Sequence, residues 1–204
     1  MFSAALSDGD RLHSDSVDGR ETLERGLSLV DALLTRAGLS LSALGGIAVG
    51  TGPGGFTGLR IAIAFAKSLA LGAGRPICGV SSFDIVDAAS AAERIVPRLS
   101  VVMGRTGIAC IRYSGAADSR VACGPVGATL ARLWDGNGEI TLVGGTEDVR
   151  SAALERGKSV HIALRARELP AATLARHARM RAPERSVHAL APDYGEVPAV
   201  RVKS

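Results

Sequence analysis

The chain of 204 residues is long enough for one domain or two small lobes with a sizeable core. Hydrophobic residues make up 47% of the sequence and aromatic residues only 3%, so the core must be built from Ala, Val, Leu and Ile. The net charge of +4 permits contact with RNA. However, the arginines are scattered and no aromatic residues lie between them to stack on bases, which disfavours a nucleic-acid site.

The first half of the chain predicts a hairpin followed by alternating helices and strands. Residues 2–6 and 11–17 are the two predicted strands of the hairpin, joined by a tight turn. Apolar residues that recur at intervals of three and four predict a helix over 20–37, which Gly38 ends. A buried strand is predicted at 46–50.

The most informative stretch is 50–71, GTGPGGFTGLRIAIAFAKSLAL, in which a glycine-rich loop leads into a helix that is apolar almost all round. Thr57 is predicted to be the N-cap of this helix, with Gly58 opening its first turn and Gly72 and Gly74 closing it. A helix this apolar must be buried on several sides, so either the domain's own core or a partner has to cover it.

Strands with intervening helices predict an α/β fold for the whole chain. A strand at 76–80 and a helix capped by Ser81 or Ser82 complete the first half, and Pro97 is the predicted boundary between two lobes, 1–97 and 98–204. In the second lobe the sequence predicts strands at 99–103, 108–113 and 140–143, and helices at 126–134, 146–156 and from Pro170. The tail from Ser186 is predicted to be irregular.

Cysteine usage and hydropathy point to an intracellular protein. The three cysteines, Cys78, Cys110 and Cys123, form no CxxC pair, and an odd, sparse count predicts reduced thiols rather than a disulfide framework. Cys78 and Cys110 lie in apolar runs typical of core thiols. No apolar run reaches membrane-spanning length without a charge, and no secretory signal is visible. We therefore expect a cytoplasmic protein.

The glycine-rich loop fits the known nucleotide motifs poorly. Gly50-x-Gly52-x-x-Gly55 formally matches GxGxxG between a strand and a helix, but a proline lies inside it and no acidic residue follows the next strand. A Walker A loop would need Gly-Lys-Ser/Thr, whereas Leu59 and Arg60 follow Gly58. The four histidines have no metal-ligand spacing. An anion could still be held at the start of the helix.

Two helices carry more apolar surface than one sheet needs. The helix 20–37 has a stripe of leucine and valine, and the helix 58–71 has small residues at Ala62, Ala66 and Ala70 that allow close helix approach. Both stripes could cover the domain's own sheet. The apolar residues left over on 58–71 exceed one face, which makes burial by a partner an equal possibility.

The segment 50–71, followed by Arg-Pro-Ile-Cys-Gly-Val-Ser-Ser at 75–82, closely resembles the TsaB family. The family pattern here is G-x-GPGSFTGLRIG, then a helix, then a strand ending in G-V-S-S. Proteins of this family are subunits of the bacterial machinery that makes threonylcarbamoyladenosine on tRNA. The resemblance is specific over 23–88 and general from 99 onward.

This resemblance implies a degenerate form of the two-lobed actin-like ATPase fold, which sugar kinases and Hsp70 share. Family members begin with a strand of the type I-L-A-L-D-T-S before the segment that matches 2–6, and this strand is absent here. Gly55 stands where serine is common in the family, and Gly-Arg-Glu-Thr at 19–22 stands where Glu-His is frequent. Either the true start lies upstream of Met1 or the first lobe has an incomplete sheet.

The resemblance also implies a non-catalytic subunit that pairs with TsaD, the threonylcarbamoyl transferase, with the ATPase TsaE joining the complex. Helices 20–37 and 58–71 would pack against the same helices of TsaD, and tRNA would be contacted only through the complex. The metal-binding His pair of TsaD-like proteins is absent from 20–37. ATP would be used by the complex, and no cofactor would be bound by this chain alone.

Two sets of residues carry these expectations. The predicted partner interface consists of Leu23, Leu27, Val30, Leu34, Ile61, Phe65 and Leu69. The residues predicted to shape the loop and the helix start, rather than to bind substrate, are Gly52, Pro53, Gly54, Phe56, Thr57, Gly58 and Arg60. Two alternatives stay open: an actin-like kinase or ATPase that uses the 50–58 loop on phosphates, and a homodimer that uses the same helices twofold.

Overall fold

The computed structural model describes residues 1–18, 21–90, 97–104, 107–163, 168–184 and 186–195. The first half contains a hairpin and a βαβ unit followed by a short helix. In chain order these elements are β1 (Phe2–Asp8), β2 (Arg11–Val17), α1 (Thr22–Ala37), β3 (Ile47–Gly52), α2 (Phe56–Ala73), β4 (Ile77–Ser81) and α3 (Ser82–Ala88).

In the second half, the described residues form five strands and three α-helices. In chain order these are β5 (Arg98–Met103), β6 (Ile108–Ser114), β7 (Ser119–Pro125), α4 (Val126–Leu133), β8 (Glu139–Gly144), α5 (Glu147–Arg156), β9 (Ser159–Ala163) and α6 (Pro170–Ala178). The strands form one sheet in the order β7-β6-β5-β8-β9, antiparallel on the β6–β7 side and parallel on the β8–β9 side of β5.

The two halves repeat one order of elements: a hairpin, a helix, a strand, a helix, a strand and a helix. In the second half, β5 precedes the hairpin and joins it to β8. In the first half, the hairpin β1–β2 and the parallel pair β3–β4 are separate two-stranded sheets within the described residues. Within the described residues, no strand joins the hairpin to the β3–β4 pair.

Three groups of apolar side chains form the core. The largest lies between the five-stranded sheet and helices α4 and α5, around Leu99, Ile111 and Leu142. A second group joins α2 to the β3–β4 pair, and a third joins α1 to the β1–β2 hairpin. Aliphatic residues dominate all three, as the low aromatic content requires.

Helix boundaries follow local chemistry, with one correction. Gly38 and Gly74 end α1 and α2 in the left-handed conformation, and the Ser81 hydroxyl accepts a hydrogen bond from the Phe83 N–H at the start of α3. The prediction of Thr57 as N-cap is wrong, because α2 already begins at Phe56 with Gly55 as its N-cap. A glycine N-cap contributes no side-chain hydrogen bond, so the sequence offers no polar residue to mark this start.

The sequence also missed two strands and one disulfide. β7 and β9 were not predicted because both are exposed edge strands with little apolar alternation. The prediction of three reduced thiols is wrong for one pair: Cys110 and Cys123 lie opposite each other on β6 and β7 and form a disulfide. Their strand register brings their Cα atoms within 4.1 Å of each other, which spacing along the chain does not reveal. Cys78 is a buried free thiol.

The end of the chain returns to the first half. α6 packs against β1, α3 and β3, and the Arg179 guanidinium donates a hydrogen bond to the Gly9 carbonyl in the hairpin turn. The Glu184 N–H donates to the Ile77 carbonyl on β4. The predicted lobe boundary at Pro97 stays a prediction, and α6 and the described residues after it would belong with the first lobe in space.

Candidate functional site

Helices α1 and α2 lie side by side and meet at a glycine. A Cβ atom at Gly26 would stand 2.5 Å from Cε2 of Phe65, so α2 approaches α1 where α1 has no side chain. The Phe65 ring also packs edge-on against the Phe2 ring of β1, with 6.0 Å between the ring centroids. Phe65, predicted at a partner interface, therefore serves first to fix α2 within the chain.

The residues of α1 that were predicted to form one interface stripe differ in how exposed they are. Leu27 is 53% exposed and available to a partner. Leu34 is 9% exposed and packs with Leu6 and Leu33, and Val30 packs against the same group. Leu34 therefore contributes to the core under the hairpin, and its role at a partner interface stays a prediction. The side chain of Leu23 lies outside the described part of the structure.

On α2 the buried face is narrow. Of its 18 residues, Ile63, Ala66 and Ala70 are buried, and these pack toward β3 and β4. The predicted interface residues Ile61 and Leu69 are half-buried. The buried residues at 63, 66 and 70 are three and four positions apart, so they define the inner face of α2. The outer face lies on the opposite side of the helix.

The opposite face is exposed and carries small and apolar side chains. Leu71 is 59% exposed, and Ala64 and Ser68 on the same side of the helix are exposed as well. The mean hydropathy of α2 is 1.4, so by length and composition alone it could cross a membrane. Its place between β3 and β4, with one face packed on both, instead indicates a surface helix whose outer face a protein partner could cover.

The glycine-rich loop before α2 is filled by the chain's own tail segment, residues 190–195. Gly52 has a φ of +110°, and a Cβ there would stand 1.9 Å from the Asp193 carbonyl oxygen. The Asp193 N–H donates a 2.7 Å hydrogen bond to the Thr51 carbonyl. Gly52 and Pro53 are buried, joined by a cis peptide bond, and Gly54 is half-buried. The loop holds the tail backbone in place.

An aromatic and cationic cluster covers the N-terminal end of α2. The Arg60 guanidinium lies 3.8 Å from the Phe56 ring centroid, and its Nε donates a 2.8 Å hydrogen bond to the Tyr194 hydroxyl. The Phe56 and Tyr194 rings are 4.6 Å apart. Thr57 and Gly58 are exposed beside this cluster. Sequence reasoning missed Tyr194, because its partners are more than 130 residues away along the chain.

A network of ion pairs joins α3 to the five-stranded sheet. Arg112 donates 2.8 Å hydrogen bonds to both Asp84 and Asp87, and Arg181 pairs with Asp84. Burial raises the pKa of Asp84, but the hydrogen bonds and charges of the two arginines outweigh it and hold that pKa below its usual value. Every charge here is matched by a protein partner, so the network orients the two halves of the molecule.

The described residues contain no group of three or more His, Cys, Asp or Glu side chains that could hold a metal ion. Cys78 on β4 is buried, and burial raises the pKa of its thiol, which disfavours the nucleophilic thiolate. What the structure brings together is exposed apolar surface on α1 and α2, next to a loop closed by the tail.

Comparison with known proteins defines the class. The chain superimposes on YeaZ from Pseudomonas aeruginosa with a TM-score of 0.68 and 28% sequence identity, over 94% of this chain and 93% of that one. A second structure, described as similar to peptidase YeaZ from the same organism, gives a TM-score of 0.71 at 25% identity. The fold is therefore the α/β architecture of actin-like ATPases, in the form that YeaZ has.

The family follows from the sequence. Residues 17–139 match the family model of TsaD, tRNA N6-adenosine threonylcarbamoyltransferase, and the chain belongs to this family, on its TsaB branch. It is 49% identical over 63 residues to the tRNA threonylcarbamoyladenosine biosynthesis protein TsaB of Escherichia coli, and 35% identical over 79 residues to that of Haemophilus influenzae. These alignments cover 31% and 39% of this chain, and 27% and 34% of the relatives.

Proposed function

We propose that this chain is a non-catalytic subunit of the machinery that forms N6-threonylcarbamoyladenosine on tRNA, and that it pairs with a TsaD-like transferase through α1 and α2. We infer the modification pathway from the names of the relatives of this chain. The observation that carries the pairing is the exposure of apolar side chains on two neighbouring helices, Leu71 on α2 and Leu27 on α1.

The chemistry of this face suits another pair of helices. Along α2 the residues at 57, 61, 64, 68 and 71 share one side, and three of them, Thr57, Ala64 and Ser68, are small. Small residues let a partner helix approach closely, while Ile61 and Leu71 offer apolar side chains that water now contacts. A partner that presents the same helices would meet this surface with matching shape.

We further propose that the chain binds no nucleotide by itself and that ATP is used elsewhere in the complex. Support comes from the loop 50–58. The Asp193 carbonyl oxygen lies against Gly52 and occupies the space that a phosphate oxygen bound by this loop would need. A TsaE-like ATPase would join the complex, tRNA would be reached through it, and the location would be the cytoplasm. Calorimetry that detects tight ATP binding to the isolated chain would instead support a kinase or ATPase.

Co-expression with the TsaD of the same organism, followed by gel filtration with light scattering, tests the pairing. We expect a one-to-one complex with the wild-type chain and none with Leu27→Asp, since a buried carboxylate would have no partner. Leu154→Asp on α5 is the matched control, because Leu154 is 51% exposed, nearly the same as Leu27, but lies on a different surface.

Both variants must first give wild-type circular dichroism and a monomeric or dimeric peak on their own. A complex that forms equally well with Leu27→Asp would contradict the assignment of this face. If the isolated chain forms a homodimer that dissociates when TsaD is added, the homodimer and the complex with TsaD compete for one surface.

A further inference from the structure

The tail segment, residues 190–195, connects three separate parts of the molecule. Leu190 is 4% exposed and packs in the core between α2 and the β3–β4 pair. Asp193 is hydrogen-bonded to Thr51 at the end of β3, and Tyr194 packs on Phe56 at the start of α2. Gly195 lies at the five-stranded sheet.

Gly195 is the point of contact with that sheet. A Cβ atom at Gly195 would lie 2.5 Å from Sγ of Cys110, 2.7 Å from Sγ of Cys123 and 3.0 Å from Cβ of Pro53. The residue also has a φ of +67°, which glycine adopts without strain. The tail backbone, the glycine-rich loop and the disulfide are therefore packed against one another with no free space.

The disulfide is placed to affect the tail more than the sheet. Cys110 and Cys123 are one of seven residue pairs that hold β6 against β7, so the strand register does not depend on the bond. Cys110 is 5% exposed and Cys123 is half-buried. Disulfides in a reducing compartment such as the proposed cytoplasm are usually transient and redox-sensing rather than structural.

We propose that Cys110 and Cys123 form a thiol–disulfide switch that controls whether the tail segment is seated on the glycine-rich loop. In the disulfide, the two sulfurs are held together beneath Gly195. A dithiol reductant breaks the S–S bond and delivers two electrons and two protons to the two sulfurs, and the reductant leaves as its own cyclic disulfide. Reduction replaces one rigid bridge by two side chains that can each change rotamer, so the two sulfurs no longer form a fixed surface beneath Gly195.

Release of Gly195 affects the N-terminal end of α2 through Tyr194. The Tyr194 ring and hydroxyl hold Phe56 and Arg60 in place, so an unseated tail frees both side chains at the N-terminal end of α2. The effect on partner binding rests on the proposed function. The seating of the tail does not, and it can be measured on the isolated chain.

Hydrogen–deuterium exchange of the full chain, read by mass spectrometry, tests the switch. The Asp193 and Gly195 amides both donate hydrogen bonds, to the Thr51 carbonyl and to the Asp193 side chain. In the chain oxidised with oxidised glutathione we expect slow exchange over 190–195. After dithiothreitol we expect exchange there to become about ten-fold faster, because local opening sets protection, with 108–125 unchanged. Alkylation under denaturing conditions counts the free thiols in each state.

Three variants separate the switch from general stability. Cys110→Ser with Cys123→Ser should exchange fast at the tail in both conditions, and Cys78→Ala should respond to dithiothreitol as wild type does. Gly195→Ala should still form the disulfide yet exchange fast in both conditions, because its Cβ cannot fit over the sulfurs.

Three results would overturn the proposal: tail exchange that is the same in both redox states, acceleration spread equally over 108–125, and a pair that stays as two thiols in oxidised glutathione. None of these involves a partner protein, so failure of the pairing with TsaD would leave this test intact. If the tail does respond, gel filtration with TsaD in the two redox states then measures its effect on pairing.

Discussion

Gly52→Ala should unseat the tail and destabilise the chain strongly. The new Cβ would lie 1.9 Å from the Asp193 carbonyl oxygen and 3.0 Å from Cδ1 of Leu59, and the first of these is a backbone atom that cannot rotate away. At a φ of +110°, an alanine backbone also enters a sparsely populated region, which costs about 1–3 kcal/mol. The tail has to move for the variant to fold.

The interactions between the tail and the start of α2 set the rest of the magnitude. The Asp193–Thr51 hydrogen bond contributes roughly 1 kcal/mol, and the Phe56–Tyr194 pair contributes roughly 1 kcal/mol more. Together with the backbone strain, we expect the free energy of unfolding to fall by about 3–5 kcal/mol. For a chain of this size that lowers Tm by roughly 10 °C.

Urea unfolding followed by circular dichroism measures this loss. Gly55→Ala is the matched control in the same loop, because a Cβ at Gly55 meets nothing within 4 Å and its φ is −61°. We expect that control to change stability by only about 0.5 kcal/mol. Equal stability of Gly52→Ala and Gly55→Ala would refute the seating of the tail on the loop.

Two further substitutions probe other parts of the structure. Because the pKa of Asp84 is lowered in the folded chain, its stabilising effect is complete above the unfolded pKa of about 4 and is lost as the pH falls through the folded value. Asp84→Asn should therefore be less stable at pH 7 and lose stability less steeply below about pH 4 in urea unfolding at a series of pH values. Gly26→Ala should destabilise the packing of α1 on α2, because its Cβ would lie 2.5 Å from the Phe65 ring. Gly72→Ala, also in a helix but with open space around it, should be neutral or stabilising by up to about 1 kcal/mol in the same assay.

Both predictions have clear contrary outcomes. An acid unfolding curve for Asp84→Asn that parallels wild type would show that the Asp84 ion pairs do not set acid sensitivity. Equal stability of Gly26→Ala and Gly72→Ala would mean that the Phe65 ring can turn aside at little cost, so the glycine is not required for the two helices to meet.

Most of the fold was predictable because its signals are local. The hairpin at 2–17, the helix with apolar residues at spacings of three and four, and the Ser81 cap need only neighbours along the chain to form. The glycine motif and the strand after it carried the family resemblance, which the family model and the structural match confirm. The start of α2 was misplaced by two residues because its cap is a glycine without a side-chain bond.

The candidate site was only partly predictable, because its decisive interactions join distant residues. The helical period of the apolar residues placed Leu27 and Leu34 on one stripe of α1. In the structure, however, the hairpin buries Leu34 and leaves Leu27 exposed. The Cys110–Cys123 bond depends on the β6–β7 register, and β7 has no clear strand signal. Nothing in the order of residues shows that Tyr194 returns to Arg60.

The most direct test of the proposed function is reconstitution of the modification. Purified TsaD and TsaE of the same organism would be incubated with tRNA, ATP and the threonylcarbamoyl donor, with and without this chain, and the tRNA nucleosides would be analysed by mass spectrometry. We predict that threonylcarbamoyladenosine forms only when the chain is present, and not when Leu27→Asp replaces it. Modification at the full rate without the chain, or by the chain without TsaD, would contradict the account.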